Sequence, residues 1–237
     1  MPGLPEPTPA GPDPLDLLAH RALGLLPATG RIIVGITGSP GAGKTTLAVR
    51  LANRISALAA AARDAADATA PLAGHLPMDG FHLANATLDR LERRDRKGAV
   101  DTFDGWGFVA LLQRLLAETD HPVYAPSFER EVDEGIAGAL VVEPGTRIVV
   151  VEGNYLLLDQ EPWSRVPQLA AEVWFCQTPA EARLERLVHR HERHGRSPEA
   201  ARDWAENVDG ANAVLIERSA ARAALRVSGV DAAILPS

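Results

Sequence analysis

The segment Gly38-Ser-Pro-Gly-Ala-Gly-Lys-Thr45 constrains the fold most, because it matches G-x-x-x-x-G-K-[ST] in full. The β-branched run at residues 31–37 precedes it and predicts a buried strand, and residues 44–62 predict a long helix after it. In such a loop, main-chain N–H groups surround a phosphate at the positive end of the helix dipole. The nucleotide-binding residues that we predict are Gly38, Ser39, Pro40, Gly41, Ala42, Gly43, Lys44, Thr45 and Thr46. Lys44 is expected to reach the terminal phosphates, and the Thr45 hydroxyl to ligate Mg²⁺.

Composition narrows the class of protein. A chain of 237 residues with 46% hydrophobic and 23% charged residues is typical of one globular domain. The net charge of -7 disfavours nucleic acid or a membrane surface as a partner, and no apolar run has the roughly 18 residues that a spanning helix needs. Cys176 is the single cysteine, so we expect a buried thiol and a cytoplasmic location. Monomer and homodimer both remain open.

The order of predicted elements indicates an α/β fold in three layers, a parallel sheet flanked by helices on both faces. Residues 1–14 hold six prolines and predict a disordered tail, which leaves 15–237 as one domain. Further strands are predicted at 74–78, 147–151 and 171–177, with a less regular one near 225–227. Helices are predicted at 15–26, 106–118, 178–194 and 198–224. The third of these is expected to begin with a capping box, Thr178-Pro-Ala-Glu181.

Two acidic residues follow predicted strands. Asp79 ends the second strand, where a carboxylate can accept the proton of an attacking alcohol, and Glu152 ends a Val-rich strand, where it can assist Mg²⁺. Each residue type is also common in an ordinary turn. Because the carboxyl ends of parallel strands share one edge of the sheet, Lys44, Asp79 and Glu152 are expected to converge.

Arginines dominate the predicted helix 178–194. Arg183, Arg186, Arg190 and Arg193 recur every three or four residues and form one stripe. The stripe suits either a lid over the phosphates, spanning about 179–200, or a solvated face; as a lid, Arg186 and Arg190 are its catalytic members. The nearby His189, His191 and His194 lack the spacing of a zinc site. A second basic cluster, residues 90–97, suits either an anionic substrate group or a wet surface.

With the phosphate loop, Met78-Asp-Gly-Phe-His82 and Val151-Glu-Gly-Asn-Tyr155 in view, the chain resembles a known group. It resembles the uridine kinase, phosphoribulokinase and type I pantothenate kinase superfamily, and most closely its bacterial nucleoside/nucleotide kinase branch. The resemblance implies a P-loop kinase fold with a helical lid and transfer from ATP, with Mg²⁺, to a hydroxyl of a small molecule. It also implies that Asp79 is the base and that Glu152 assists the metal.

The same resemblance extends to the pocket for the acceptor, the molecule that receives the phosphoryl group. His82 of the Met78–His82 motif and Arg90 of the basic cluster are added to the residues that the resemblance implies. The predicted acceptor residues are then Asp79, His82, Arg90, Asp101, Tyr124, Arg130, Asn154 and Tyr155. Asp209 and Asn212 match a late motif of the branch without an assigned role. The acceptor stays open among nucleosides, sugars and pantothenate-like alcohols.

Two other nucleotide-dependent functions compete with a kinase. A GTP-dependent switch needs a lysine in a guanine-recognition motif, but the only lysines are Lys44 and Lys97, and Lys97 follows an arginine. That alternative fails. An ATPase coupled to a protein partner remains the alternative, because a phosphate loop alone does not specify the acceptor.

Overall fold

A computed structural model describes residues 11–62 and 71–236 and confirms the three-layer α/β fold. Eight strands are present in the described ranges: β1 Ile32–Thr37, β2 Ala73–Pro77, β3 Val123–Glu129, β4 Glu134–Val142, β5 Ile148–Glu152, β6 Glu172–Gln177, β7 Leu225–Ser228 and β8 Ile234–Leu235. Six of them form one sheet in the order β2-β5-β1-β6-β7-β8, parallel except for β8. β3 and β4 form a separate antiparallel hairpin.

Helices cover both faces of the sheet. They are α1 Pro14–Gly24, α2 Lys44–Ala61, α3 Asn85–Arg90, α4 Gly105–Ala117, α5 Val166–Leu169, α6 Ala180–Arg193, α7 Pro198–Trp204 and α8 Gly210–Glu217. Successive side chains of a strand point to opposite faces, so β1 sends Val34 into the core with α1 and α2, and Ile33 into the core with α4 and α8. Strands buried on both faces explain the continuous apolar runs of β1 and β5.

The register of the parallel strands brings the functional strand ends together. Glu152, the last residue of β5, pairs with Ile36 on one side and with Pro77 on the other. The phosphate loop, residues 38–45, starts directly after β1, and a short 3₁₀ turn, Met78–Phe81, starts directly after β2. The predicted convergence of Lys44, Asp79 and Glu152 at one edge of the sheet therefore follows from strand pairing.

Three details of the predicted elements are wrong. No side-chain capping bond is formed at the start of α6, because the Thr178 hydroxyl donates to the Ala42 carbonyl at 2.9 Å instead. The helix predicted at 198–224 is interrupted by a π-helical segment, Ala205–Asp209, and ends at Glu217. The β3–β4 hairpin was not predicted, because most of β4 is exposed and lacks an alternating pattern.

Most of the predicted tail, residues 1–10, lies outside the described residues, and α1 begins at Pro14. Within the described ranges, no helix combines the length and the apolar character needed to cross a bilayer.

Candidate functional site

The phosphate loop leads into α2 through a residue whose backbone is in the left-handed conformation. Gly43 has φ +95° and is the N-cap of α2, a conformation that residues with a Cβ rarely adopt. Lys44 follows it, is 8% exposed, and donates from Nζ to the Ser39 carbonyl at 3.0 Å. Burial lowers the pKa of the Lys44 ammonium, while the Glu152 carboxylate opposes that shift. No carboxylate in the described residues lies within 4.0 Å of Nζ, so this cation is available for an anionic ligand.

A hydroxyl and a carboxylate meet beside the loop. Thr45 Oγ1 donates to Glu152 Oε1 at 2.9 Å, and Glu152 is 4% exposed. His75 Nε2 lies 3.8 Å from the same carboxylate oxygen. Hydroxyl and carboxylate oxygens are the hard ligands that Mg²⁺ takes, usually together with phosphate oxygens and water. Thr45 and Glu152 therefore fit a Mg²⁺ ion at the position where nucleotide phosphates would lie.

Asp79 occupies the 3₁₀ turn after β2 and is partly exposed to the cleft. Its Oδ2 is 3.8 Å from Arg130 Nη2, in the turn of the hairpin. Its main-chain oxygen is 2.7 Å from His82 Nδ1. A carbonyl only accepts, so Nδ1 carries the proton. Burial lowers the pKa of His82, which keeps the ring neutral and Nε2 an acceptor.

The arginine stripe on α6 divides between the loop and the cleft. Arg186 Nη1 donates to the Gly41 carbonyl at 3.3 Å, and Arg183 Nη1 lies 3.5 Å from the Pro40 carbonyl. One turn further along, Arg190 faces Asp209 at 3.9 Å. Arg193 instead contacts His189. Two arginines of the stripe therefore hold α6 against the phosphate loop, while Arg190 faces the open space.

A cleft of about 790 Å³ runs from the phosphate loop to the hairpin and the end of α6. The predicted residues that line it are Pro40, Gly41, Gly43, Lys44, Thr45, Thr46, Asp79, His82, Arg130, Glu152, Asn154, Arg186 and Arg190. The structure brings the loop, Asp79, the Thr45–Glu152 pair and the two stripe arginines that were predicted to be catalytic, Arg186 and Arg190, into this one space. We call the part of the cleft bounded by the hairpin and the C-terminal end of α6 the acceptor side.

Four predicted acceptor residues do not line the cleft. Arg90 ends α3 on the surface, and Asp101 is held by Arg96 at 2.7 Å, which lowers the pKa of its carboxyl. Tyr124 is 62% exposed on β3. Tyr155 is completely buried, because its ring packs in the core and its hydroxyl donates to the Gly98 carbonyl at 2.5 Å.

The main chain at Gly98 accepts hydrogen bonds from two distant side chains, and the sequence analysis did not predict this junction. Its carbonyl accepts from Tyr155 and also from Asn212 Nδ2 at 3.4 Å. Gly98 lines the cleft next to Lys97, which binds Asp133 at 3.0 Å. Asn212, the unassigned motif residue, thus supports the acceptor side from α8. Its neighbour Asp209 accepts from His191 Nε2 at 2.7 Å and so ties α6 to the π-helical segment.

Other cleft residues also escaped prediction. Lys97 and Arg94 belong to the basic cluster that suited either an anionic substrate group or a wet surface, and neither was named individually as a pocket residue. Phe103 and Phe128 lie in segments that carry the family resemblance, but their rings were not assigned to the pocket, and Trp204 carried no motif. The rings of Phe103 and Phe128 both pack against the His82 ring, with distances between ring centroids of 4.0 and 4.7 Å. Only the hairpin brings Phe128 to this site. Because the hairpin was not predicted, this aromatic side of the cleft was not predicted either.

Comparisons with known proteins agree with this geometry. The chain is 33% identical over 180 residues, 74% of its length and 73% of the relative's, to "Putative uridine kinase C227.14" of Schizosaccharomyces pombe. It is 40% identical over 131 residues to "ATP-dependent kinase-like protein notR'" of Aspergillus versicolor, covering 52% of this chain and 76% of that one. The crystal structure of a "putative fructose transport system kinase" from Silicibacter sp. TM1040 superposes with a TM-score of 0.77 at 37% identity, covering 86% and 94% of the two chains. No family model matches the chain.

Proposed function

Because the chain belongs to the uridine kinase-like family of P-loop kinases, we propose that it transfers the γ-phosphate of ATP to a hydroxyl of a small metabolite. One observation carries the proposal: a strand-end carboxylate, Asp79, shares a cleft with the phosphate loop and the Thr45–Glu152 pair. Hydrolysis alone would not need a separate walled space beyond that carboxylate.

The phosphate loop holds the donor in this proposal. The loop N–H groups and Lys44 bind the phosphates, and burial of Lys44 strengthens the attraction because water screens it less. Thr45 and Glu152 would hold Mg²⁺, which supplies positive charge to the phosphate oxygens. Arg186 and Arg190 neutralise the negative charge of the transferring group, and α6 to α7 act as a lid that excludes water.

Asp79 activates the acceptor. Its carboxylate takes the proton of the acceptor hydroxyl as that oxygen forms a bond to the γ-phosphorus, and the bond from phosphorus to the β,γ-bridging oxygen breaks to release ADP. Neutral His82 offers Nε2 to a second hydroxyl of the acceptor. The rings of Phe103 and Phe128 provide an apolar wall beside it. Asn154 lines the same cleft.

An acceptor screen tests the proposal. The protein is incubated with ATP, Mg²⁺ and single members of a panel of nucleosides, sugars and pantothenate-like alcohols, and ADP release is measured. We expect release to depend on one class of acceptor and a phosphorylated product to be found by mass spectrometry. Release that is equally fast without any acceptor would contradict a metabolite kinase and favour an ATPase coupled to a protein partner.

A further inference from the structure

Two arginines on the acceptor side lack close carboxylate partners. Arg130 Nη2 is 3.8 Å from Asp79, and Arg190 Nη2 is 3.9 Å from Asp209. Elsewhere in the described chain, arginines reach carboxylates at 2.7 Å, as in the pair Arg21–Glu172. No other carboxylate oxygen of the described residues lies within 4.0 Å of either guanidinium. Both cations are therefore only weakly compensated by the protein itself.

The cations lie close enough to repel each other. Burial lowers the pKa of Arg190, the Asp209 carboxylate opposes that shift, and the charge of Arg130 lowers the pKa again. His194, the C-cap of α6, also has a pKa lowered first by burial and then by Arg130 and Arg190. Positive groups from the hairpin and from α6 thus face the same volume. An anion placed between them would relieve this repulsion.

The acids that line the cleft are mostly engaged. Glu152 accepts from Thr45, Asp209 accepts from His191 at 2.7 Å, and Asp133 binds Lys97 at 3.0 Å. Asp79 is reserved for the acceptor hydroxyl in the proposed reaction. Glu131 is the remaining acid of the lining and lies in the same hairpin turn as Arg130. Within the described residues, the cleft therefore keeps cationic groups that its own carboxylates do not neutralise.

Arg130 belongs to the acceptor side and not to the phosphate loop. The hairpin that carries it packs on the Asp79 turn, where a Cβ on Gly80 would collide with the Pro126 carbonyl. Phe128, two residues before Arg130, contacts His82. The donor phosphates are already served by Lys44 and Arg186, which lie at the loop itself. A charge recognised by Arg130 is thus a charge on the acceptor.

We infer that the acceptor carries an anionic group of its own, a phosphate or a carboxylate, which binds between Arg130 and His194. Arg190 lies between this group and the transferring phosphate and can contact both. Next to the anion site, the Arg196 guanidinium stacks on Trp204 at 3.9 Å and closes the wall of the cleft. The inference rests on the proposed function and specifies its substrate class. A planar guanidinium on the hairpin suits two-point binding of either anion.

Matched pairs of acceptors test the inference. Each pair differs at one position, where the anionic member has a phosphate ester in place of a hydroxyl or a carboxylate in place of a hydroxymethyl group: fructose and fructose 6-phosphate, ribose and ribose 5-phosphate, uridine and uridine monophosphate, pantothenol and pantothenate. In the pair that the enzyme uses, we expect kcat/KM to be at least about 10- to 100-fold higher for the anionic member, the usual size of a charge-assisted hydrogen bond. The first three pairs probe a phosphate, and the fourth probes a carboxylate.

Variants of Arg130 test whether this residue binds the anionic group of the acceptor. Arg130→Met should lower kcat/KM for the anionic member about 10- to 100-fold and for its neutral counterpart less than about threefold, while Arg130→Lys should restore part of the preference. Arg50→Met removes an exposed arginine of α2 outside the cleft and is the matched control. Circular dichroism and the thermal shift with ATP verify folding and donor binding in each variant.

The outcomes separate the inference from the proposed function. Turnover that favours the neutral member, or an Arg130→Met variant that slows both members equally, would overturn the inference and leave the kinase intact. Absence of turnover with every pair, together with acceptor-independent ADP release, would overturn the kinase proposal and the inference with it. An anionic preference that disappears only in the Arg130→Met variant would establish the anion site.

Discussion

Thr45 Oγ1 lies 2.9 Å from Glu152 Oε1, so the first residues of α2 and the last residue of β5 meet at the mouth of the phosphate loop. This contact joins a residue of the loop motif to a strand end more than 100 positions away. It exists because β5 pairs with β1 in parallel register, with Ile36 opposite Glu152. The proposed metal pair therefore depends on the topology of the sheet.

Replacing Glu152 by glutamine tests this pair. The amide keeps the size of the side chain but removes its charge, so Mg²⁺ should bind more weakly with ATP. We expect the Mg²⁺ concentration that gives half of the ATP-dependent thermal stabilisation to rise about 10-fold or more. Thr45→Ser keeps the hydroxyl and is the control, with little change expected. An unaltered Mg²⁺ requirement in Glu152→Gln would remove Glu152 from the metal site.

Asp79→Asn tests the proposed base. Asparagine cannot accept the proton of the acceptor hydroxyl, so turnover should fall at least about 100-fold. The dissociation constant for ATP should stay within about twofold, because Asp79 lies beyond the phosphate loop. Asp89→Asn removes an exposed carboxylate of α3 and is the matched control. Full turnover in Asp79→Asn, measured with the acceptor found in the screen, would show that another group takes the proton.

The donor half of the site was predictable because its residues are encoded locally. The loop motif, its strand and its helix are contiguous, and Asp79 and Glu152 each follow a recognisable apolar strand. The acceptor side was only partly predictable: the family resemblance implied Arg130, but Phe128 was not assigned to the pocket, because only the hairpin brings its ring there. Thr178 illustrates the same limit: its local pattern predicts a capping box, but a carbonyl from the phosphate loop takes its hydroxyl. Tertiary partners decided these positions, and no local pattern reports them.

Gly229→Ala tests how tightly the segment around Gly229 packs against the phosphate loop. Gly229 lies between β7 and β8, and a Cβ there would overlap the Ala42 carbonyl and lie 2.9 Å from Cys176 Sγ. The loop would have to move, so we expect a loss of about 1–3 kcal/mol in the free energy of unfolding and weaker ATP binding. Gly24→Ala, where a Cβ would meet nothing within 4 Å at the end of α1, should leave ATP binding unchanged and raise the free energy of unfolding slightly, if it changes it at all. Denaturant titration and calorimetry measure the two effects.

The two tyrosines of the chain form a natural matched pair. Tyr155→Phe removes the donor of the 2.5 Å bond to Gly98, so the partly buried carbonyl keeps only the longer contact with Asn212. We expect the free energy of unfolding to fall by about 1–2 kcal/mol. Tyr124→Phe removes an exposed hydroxyl and should change it by less than about 0.5 kcal/mol. Equal effects of the two variants would contradict a structural role for the Gly98 junction.

Cys176 links stability to alkaline pH. It lies behind the phosphate loop, its thiol contacts the Ala42 carbonyl at 3.3 Å, and burial raises its pKa from 9.0 to about 11. A raised folded-state pKa means that its contribution to stability is complete below pH 9 and is lost as the pH rises from 9 towards 11. The thiol in the unfolded chain releases its proton first, and this favours unfolding.

Cys176→Ala removes that contribution together with the coupling of the thiol to Lys44, whereas titration of groups that do not interact with the thiol is common to both proteins. Between pH 8 and pH 10, the free energy of unfolding of the wild type should fall by about 1 kcal/mol more than that of the variant. Denaturant titrations at pH 8, 9 and 10 give the two slopes, and comparing slopes removes the constant packing cost of the substitution. Parallel slopes would mean that the thiolate is tolerated behind the loop, and that this wall of the nucleotide site is more polar than the burial of Cys176 implies.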